Sequence, residues 1–306
     1  MADKKIFLSL SFAMAVIFCA AGLSQAKEIN PAAARAGGPD AGQQIKDFSL
    51  SGYGEKGKKT WDLAGQSADI LNEVVKLQKV VGNNYTQSDT INLTADKGDF
   101  DKTSGVVHLE DNVVITTASG STLTTDTLDW DRKQQIVKTM DKINLSRQDM
   151  NLTGQGVEGQ TALKQITLAK DVRLDMQAQE QAAGQKEKIV ITCDGPLEVN
   201  YEKNIAIFNN NVKVEKPDMT MYSDKMQVYF TPKQTGQQPA AAAGLPAVSS
   251  SIDQIVAQGN VKIVRGENTS FSQEAIYTAH DKKITLTGRP QIVIYQTEGM
   301  DAVIGD

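Results

Sequence analysis

The sequence predicts an all-β fold, a long antiparallel sheet folded over on itself. Three observations carry this: apolar–polar alternation in short segments from about residue 90, a unit of about 30 residues that recurs six times, and polar Asp/Asn/Gly turns between the segments.

The alternation is plainest in Val212-Lys213-Val214, Met219-Thr220-Met221, Val261-Lys262-Ile263 and Ile292-Val293-Ile294. A period of two sends one set of side chains to one face, which is the mark of a half-buried strand. Threonine fills many intervening positions, as suits the exposed face of a pleated sheet.

The repeat is carried by Asp111-Asn112-Val113-Val114-Ile115, Lys170-Asp171-Val172-Arg173-Leu174, Asn210-Asn211-Val212-Lys213-Val214 and Gly259-Asn260-Val261-Lys262-Ile263. Weaker copies lie at Lys142-Ile143-Asn144-Leu145 and Arg289-Pro290-Gln291-Ile292. With positions 113, 143, 172, 212, 261 and 291 taken as equivalent, the spacings are 30, 29, 40, 49 and 30. The polar stretches Gln177–Lys188 and Pro232–Ser251 read as loop insertions, and their removal returns both long gaps to about 30.

Within a unit, a strand such as Asp126-Thr127-Leu128-Asp129-Trp130 meets the turn Asp131-Arg132-Lys133-Gln134 and a return strand follows. Ile276 to Leu286 has the same order around His280-Asp281-Lys282. Turns this short make their flanking strands antiparallel neighbours. A parallel β-helix is the structural rival, but its coils usually run shorter and stack one residue type at a corner. Asp69 to Val81 fits both periods: Ile70, Val74, Leu77 and Val81 have helical spacing, while Val75, Leu77 and Val81 share a strand phase.

Composition narrows the chemistry. A chain of 306 residues, 40% apolar and with mean hydropathy −0.33, is neither a disordered tail nor a multi-span membrane protein, and its length suits one or two domains. Two histidines and two cysteines leave too few ligands for a His/Cys zinc site and too few pairs for a disulfide scaffold. A net charge of −5 argues against nucleic acid as a partner.

Residues 1–26 read as a secretory signal, with Lys4 and Lys5 before the uncharged run Ile6–Leu23 and the small-x-small pattern Ser24-Gln25-Ala26. The rival is an uncleaved anchor, since such a run is at the lower limit for spanning the bilayer. Bulky Phe18 before Cys19 argues against a lipoprotein site. Residues 27–44, rich in Ala, Gly, Pro and Gln, read as a flexible leader. After cleavage Cys193 stands alone, in phase with Ile189 and Ile191, and reads as a buried small hydrophobe.

No catalytic constellation stands out, and no metal or cofactor is expected. His108 beside Glu110 and His280 beside Asp281 permit a general base, but each reads more simply as a solvent-facing histidine. The turn aspartates and asparagines form no calcium-loop pattern, and turn chemistry explains them. Five Asn-x-Ser/Thr triplets, at Asn84, Asn92, Asn144, Asn151 and Asn268, are weak signs of glycosylation in a chain this rich in Asn and Thr.

A folded-over sheet offers another kind of site, the gap between its two apolar faces, which accepts long hydrocarbon chains where it is only partly filled. The candidate lining of the first half is Val113, Ile115, Leu123, Leu128, Trp130, Leu152, Leu168, Val172 and Leu174. In the second half it is Val212, Val214, Met219, Met221, Val261, Ile263, Leu286 and Ile294. Plain core packing accounts for the same set equally well. An open end of the sheet also leaves unpaired backbone that invites strand addition from another copy or a partner.

Residues 45–178 carry Phe48, Trp61-x-Leu63 with Ala68, Leu93-x-Ala95-x-x-Gly98, Leu109-x-x-Asn112-Val113-x-Ile115, Gly120-x-x-Leu123-x-Thr125-x-x-Leu128 and Gly154-x-Gly156. In these motifs they resemble the LptC proteins of lipopolysaccharide transport. Residues 187–306 resemble the related LptA, or OstA-like, proteins through Ser223-Asp224, Ala257-x-Gly259-Asn260-Val261-x-Ile263 and Leu286-x-Gly288-x-Pro290. The resemblance implies a periplasmic β-jellyroll, not an enzyme, that carries the acyl chains of lipopolysaccharide and stacks end to end into a bridge to the outer membrane. It implies as partners lipopolysaccharide, the inner-membrane lipopolysaccharide ABC transporter, other LptA/LptC-like jellyrolls joined by strand edges, and further copies of this chain. It also implies strand over Asp69–Val81. LptC proteins keep an N-terminal anchor, whereas Ser24-Gln25-Ala26 looks cleavable, and this chain joins two modules that are often separate proteins. The alternatives are an exported β-repeat scaffold or adhesin with no lipid ligand and, third, a polysaccharide-acting enzyme in a β-helix.

Overall fold

The computed structural model describes residues 43–294 apart from 54–56, 72, 86–89, 119, 132, 135, 149, 161–164, 180–185, 232–250 and 282. The signal segment, nearly all of the leader and the body of the second insertion therefore lie outside the described residues.

Strand is the regular structure throughout. The first nine strands are β1 (Gln43–Tyr53), β2 (Lys59–Leu71), β3 (Val74–Tyr85), β4 (Thr90–Asp101), β5 (Val106–Thr117), β6 (Ser121–Asp131), β7 (Ile136–Arg147), β8 (Met150–Gln160) and β9 (Gln165–Gln179). They are followed by β10 (Lys186–Cys193), β11 (Leu197–Asn200), β12 (Ile205–Lys216), β13 (Met219–Thr231), β14 (Ser251–Arg265), β15 (Asn268–Thr278), β16 (Lys283–Thr287) and β17 (Gln291–Val293). All belong to one antiparallel sheet. Apart from two split rungs, each strand pairs with its sequence neighbours, the order of a meander.

Two rungs are split. β9 and β12 each bond to both β10 and β11, which makes these the halves of one strand interrupted at Asp194-Gly195-Pro196. β16 and β17 likewise share β15, on either side of Gly288-Arg289-Pro290. The sheet is continuous through the first insertion, with β9 paired to β10 from Val172↔Cys193 to Gln179↔Lys186.

The repeated Asn-Val motif marks where strands bend. Asp111 and Asn112, Asp171, Asn210 and Asn211, and Gly259 and Asn260 all have positive φ, between 47° and 75°. Asn, Asp and Gly adopt that conformation at least cost, which is why these letters recur. The pairing register breaks at the same places, between Glu110 and Val113, Asn209 and Val212, and Gln258 and Val261, as at β-bulges that sharpen a turn in the sheet. The valine just past each bend turns inward. Val113, Val172, Val212 and Val261 are 0%, 2%, 1% and 1% exposed. The same bend occurs earlier at Asp47 before Phe48 and at Lys79 before Val80.

Side chains secure the bends from strand to strand. Asp96, Asp111, Asp126 and Asp141 recur every 15 residues, one each on β4 to β7, and each falls within a break of register. The Asn112 amide donates to Asp96 at 2.7 Å, and Lys79 Nζ reaches the other oxygen of that carboxylate at 2.8 Å. Thr127 Oγ1 donates to Asp141 at 2.6 Å.

The hairpin turns stack in the same way. Asp101 Oδ1 accepts from the amides of Thr103 and Ser104, and Asp131 Oδ1 from those of Lys133 and Gln134, as in Asx turns. Thr103 Oγ1 donates to Glu73, and Lys133 Nζ to the Thr103 carbonyl, each across 30 residues. The 30-residue unit is thus one forward and one return strand.

Asp69–Leu71 and Val74–Val81 are strand, as the resemblance implies. They form the end of β2 and the start of β3, with Ile70 paired to Val75 and Leu71 to Val74. The apparent helical spacing arises because a tight turn lies between two strands whose own phases are both two.

Candidate functional site

Alternation within each strand and the bend across it combine to line an apolar interior. One cluster joins Trp61, Leu63, Val75, Leu77, Val80, Leu93, Phe100, Leu109, Val113 and Leu128 with partly buried Ile115 and Trp130. A second includes Ile143, Leu145, Leu152, Leu168, Val172, Leu197, Phe208, Val212, Val214, Met226 and Phe230, with Leu123, Leu174 and Met221 against it. The third is smaller, with Ala257, Val261 and Ala275 beside Met221, Ile263 and Leu286. Residues from both sides of the bends, such as Leu109 and Val113 of β5, share one cluster, so the two halves of a strand face a common interior.

Of the residues singled out from sequence, all but Met219 and Ile294 fall in these clusters. Met219 is half-buried at the start of β13, and Ile294 is 71% exposed just past β17. Alternation from residue 90 pointed away from the interior residues of β2 and β3, which include Trp61, Leu63, Val75 and Val80. It also pointed away from the buried hydroxyls Thr125, Ser223 and Ser272, whereas Cys193 is buried as its phase with Ile189 and Ile191 implied. These four pair across strands with Val113, Val212, Val261 and Val172 respectively. A small polar or thiol side chain thus sits beside each crease valine. A cleft of about 690 Å³ adjoins the crease near Val113, Thr125, Ile143 and Gly154, where the β6–β7 register lapses between Thr124 and Asp129.

The outer face is built of charge pairs. Asp69, Lys76, Asp99, His108, Asp129, Lys138 and Glu158 lie directly opposite one another across β2 to β8, alternating in sign when His108 is protonated. Opposite charges facing across strands support this register. His108 Nδ1 lies 2.5 Å from Asp129 and Nε2 3.0 Å from Glu110. The bond to Asp129 raises its pKa above the usual histidine value; partial burial opposes this and Glu110 adds to it. His108 therefore belongs to an outer ladder, away from the apolar interior. The His280 side chain is 94% exposed and 3.7 Å from Asp281. Among the described residues no cluster of three or more His, Cys, Asp or Glu side chains could hold a metal ion.

Further along, Lys213, Tyr222, Lys262 and Phe271 alternate across β12 to β15. Each lysine Nζ lies 5.9–6.0 Å from a neighbouring ring centre, a cation–π distance. Charged ladders and cation–π pairs outside and apolar clusters inside give the sheet two chemically distinct faces.

Among the described residues the two ends of the sheet are open: β1 pairs only with β2, and β16 and β17 pair only with β15. At these ends apolar side chains come to the surface, with Ile45 and Leu50 on β1 and Ile284 and Ile292 on β16 and β17.

A family model described as lipopolysaccharide-assembly, LptC-related, matches residues 8–177. The chain belongs to that LptC-related family. A second model, the LptA/LptD N-terminal domain of lipopolysaccharide transport proteins, matches residues 191–306. LptC-like and LptA-like parts thus follow one another in the order of the sequence motifs. Among curated proteins no relative matches the chain. Membership indicates a part in lipopolysaccharide transport, with lipopolysaccharide and its transport machinery as partners, in a family of periplasmic transport proteins rather than enzymes. Among the described residues no helix is long and apolar enough to cross a membrane.

Proposed function

We propose that this protein carries the acyl chains of lipopolysaccharide along the interior of its folded-over sheet. It forms part of the bridge from the inner-membrane ABC transporter to the outer membrane. The observation that carries this reading is the apolar interior, three clusters between Trp61 and Leu286, with apolar side chains at the surface at both edges of the described sheet. Hydrocarbon is the ligand such a surface attracts, because contact removes apolar area from water on both sides.

The open edges supply the second half of the reading. Unpaired strand edges take up a further strand through main-chain hydrogen bonds, so LptA- or LptC-like jellyrolls, or copies of this chain, extend the interior end to end. The two family matches meet between residues 177 and 191, within the β9–β10 hairpin. One continuous sheet thus combines membrane-proximal docking with a length of the bridge. Its N-terminal apolar segment is either released on export or kept as an inner-membrane tether, and the intact mass of the exported protein tells which.

Photo-crosslinking tests the lipid path. Crosslinkers placed at Leu128, Val212 or Ile263 are expected to trap lipopolysaccharide. Adducts formed only from outward threonines, or purification without lipid and no growth defect on depletion, favour the packed scaffold.

A further inference from the structure

Among the described residues three buried hydroxyls, those of Tyr201, Ser223 and Ser272, have no partner, and the two serines lie near each other in the crease. Ser223 and Ser272 are 5% and 7% exposed, and neither Oγ makes a hydrogen bond. Ser223 shares the inward phase of Met219 and Met221 on β13, and Ser272 that of Ser270 on β15. Ser272 pairs with Val261 of the intervening β14, and Ser223 lies on the other side of that strand, within the break of register between Tyr222 and Lys225. Two strand spacings separate them, roughly 9–10 Å along the crease.

Their surroundings are small. Ala257 and Ala275 are the other buried residues of this cluster beside Val261, with Met221, Ile263 and Leu286 only partly buried around them. The crease hydroxyls Thr125 and Thr139, by contrast, lie 3.4 Å apart and satisfy each other. A buried hydroxyl without a partner is unfavourable, and native interiors rarely keep one unless a ligand or ordered water completes it.

We propose that Ser223 and Ser272 are hydrogen-bonding subsites for oxygen atoms borne on an acyl chain lying in the C-terminal part of the interior. The ligand chemistry is a hydrocarbon carrying a hydroxyl or an ester oxygen. A serine hydroxyl donates to either, and accepts from a hydroxyl as well. This rests on the lipid-carrying reading and adds to it a preference for oxygen-bearing chains over plain ones.

The test compares stearic acid, hydroxystearic acid with one mid-chain hydroxyl, and the acetate ester of the latter, as competitors of a fluorescent fatty acid bound to the full chain. Hydroxystearic acid is expected to displace the probe at roughly tenfold lower concentration than stearic acid, about the effect of one buried hydrogen bond. In the S223A/S272A double variant the two acids should become equal, with stearic acid unchanged. A preference shared by the acetate assigns the serines as donors; one confined to the free hydroxyl assigns them as acceptors. Serine-to-alanine changes here remove no internal hydrogen bond, so the variant is expected to fold with an unchanged or higher melting temperature. Equal displacement by both acids in the unmodified protein overturns the proposal and leaves the lipid-carrying reading intact, with ordered water completing the hydroxyls. No displacement by any of the three overturns both.

Discussion

The side-chain amide of Asn260 on β14 donates to Asp224 on β13 at 2.8 Å, just where both strands bend. The preceding residue, Gly259, has φ +75°, and a Cβ there would lie 2.3 Å from Asp224 Oδ2. This corner needs glycine both for its backbone and for the carboxylate packed against it. Gly259→Ala is expected to cost about 2–3 kcal/mol, a fall of roughly 4–10 °C in melting temperature. In an Asp224→Ala background the same change should cost less, because the nearest clashing atom is gone. A thermal double-mutant cycle checks this, and strict additivity would show that backbone strain alone is responsible.

The outer ladder predicts a pH dependence. Asp99 of β4 and Asp129 of β6 lie opposite His108, and Glu110 lies beside it on β5. Its pKa in the fold is above the ordinary 6.5, first through the bond to Asp129. The protonated ring therefore stabilises the fold fully below about pH 6.5, and that contribution is lost as pH rises through the folded pKa. Because His108 is well solvated, the effect should not exceed about 1 kcal/mol. Denaturation midpoints of the unmodified protein and His108→Gln, compared from about pH 6 to 9, should converge at the alkaline end. A constant gap would mean that the histidine acts through its shape alone.

Cys193 tests the crease from another direction. It pairs with Val172 as Ser223 pairs with Val212, and burial raises its thiol pKa. A maleimide should leave the residue 193 peptide unlabelled in the folded protein and label it once denaturant is added, as mass spectrometry reads directly. Cys193→Ser fits the same slot and should shift stability by no more than about 1 kcal/mol. Cys193→Leu overfills it and should cost about 1–3 kcal/mol. Equal tolerance of serine and leucine would mean that the crease has slack.

How far the sequence reveals this fold depends on where the physics requires particular residue types. At Asn112, Asn211 and Asn260 the left-handed backbone favours Asn, and the residue that follows must be apolar, so the motif repeats visibly. The bend at Lys79 uses a residue with no such signature, and Asp47, though a favoured type, precedes Phe48 rather than the valine of the repeat, so the bends before Phe48 and Val80 escape notice. Ile70, Val74, Leu77 and Val81 mimic a helix face because the β2–β3 turn restarts the alternation; within β3, Val75, Leu77 and Val80 point inward and Val81 is exposed. The lining shows the same limit. Val212 and Val261 follow from pattern alone, whereas the exposure of Ile294 depends on no further strand covering it, which local sequence does not encode. Ser223 and Ser272 were invisible for a simpler reason: a polar residue in an alternating strand carries no mark of which face it occupies.

The open ends give the last prediction. Ile45 of β1 lies opposite buried Ala68, and Ile292 of β17 opposite Ser270, so each belongs to the inner face, and each is exposed at a sheet edge that no other described strand covers. Joining the β1 edge of one copy to the β16–β17 edge of the next would cover both, and such a head-to-tail contact does not close on itself. The unmodified chain should therefore show an apparent mass that keeps rising with concentration in sedimentation. Ile45→Asp and Ile292→Asp each spoil one end, since a charge at the junction would be buried without a partner. Either variant alone has no undamaged junction to form and should stay a monomer. Mixed together, the intact β16–β17 end of one meets the intact β1 end of the other, and assembly should stop at pairs. Growth beyond pairs in the mixture would place the contact elsewhere on the sheet, and a monomer at every concentration of the unmodified chain would remove self-stacking from the proposed bridge.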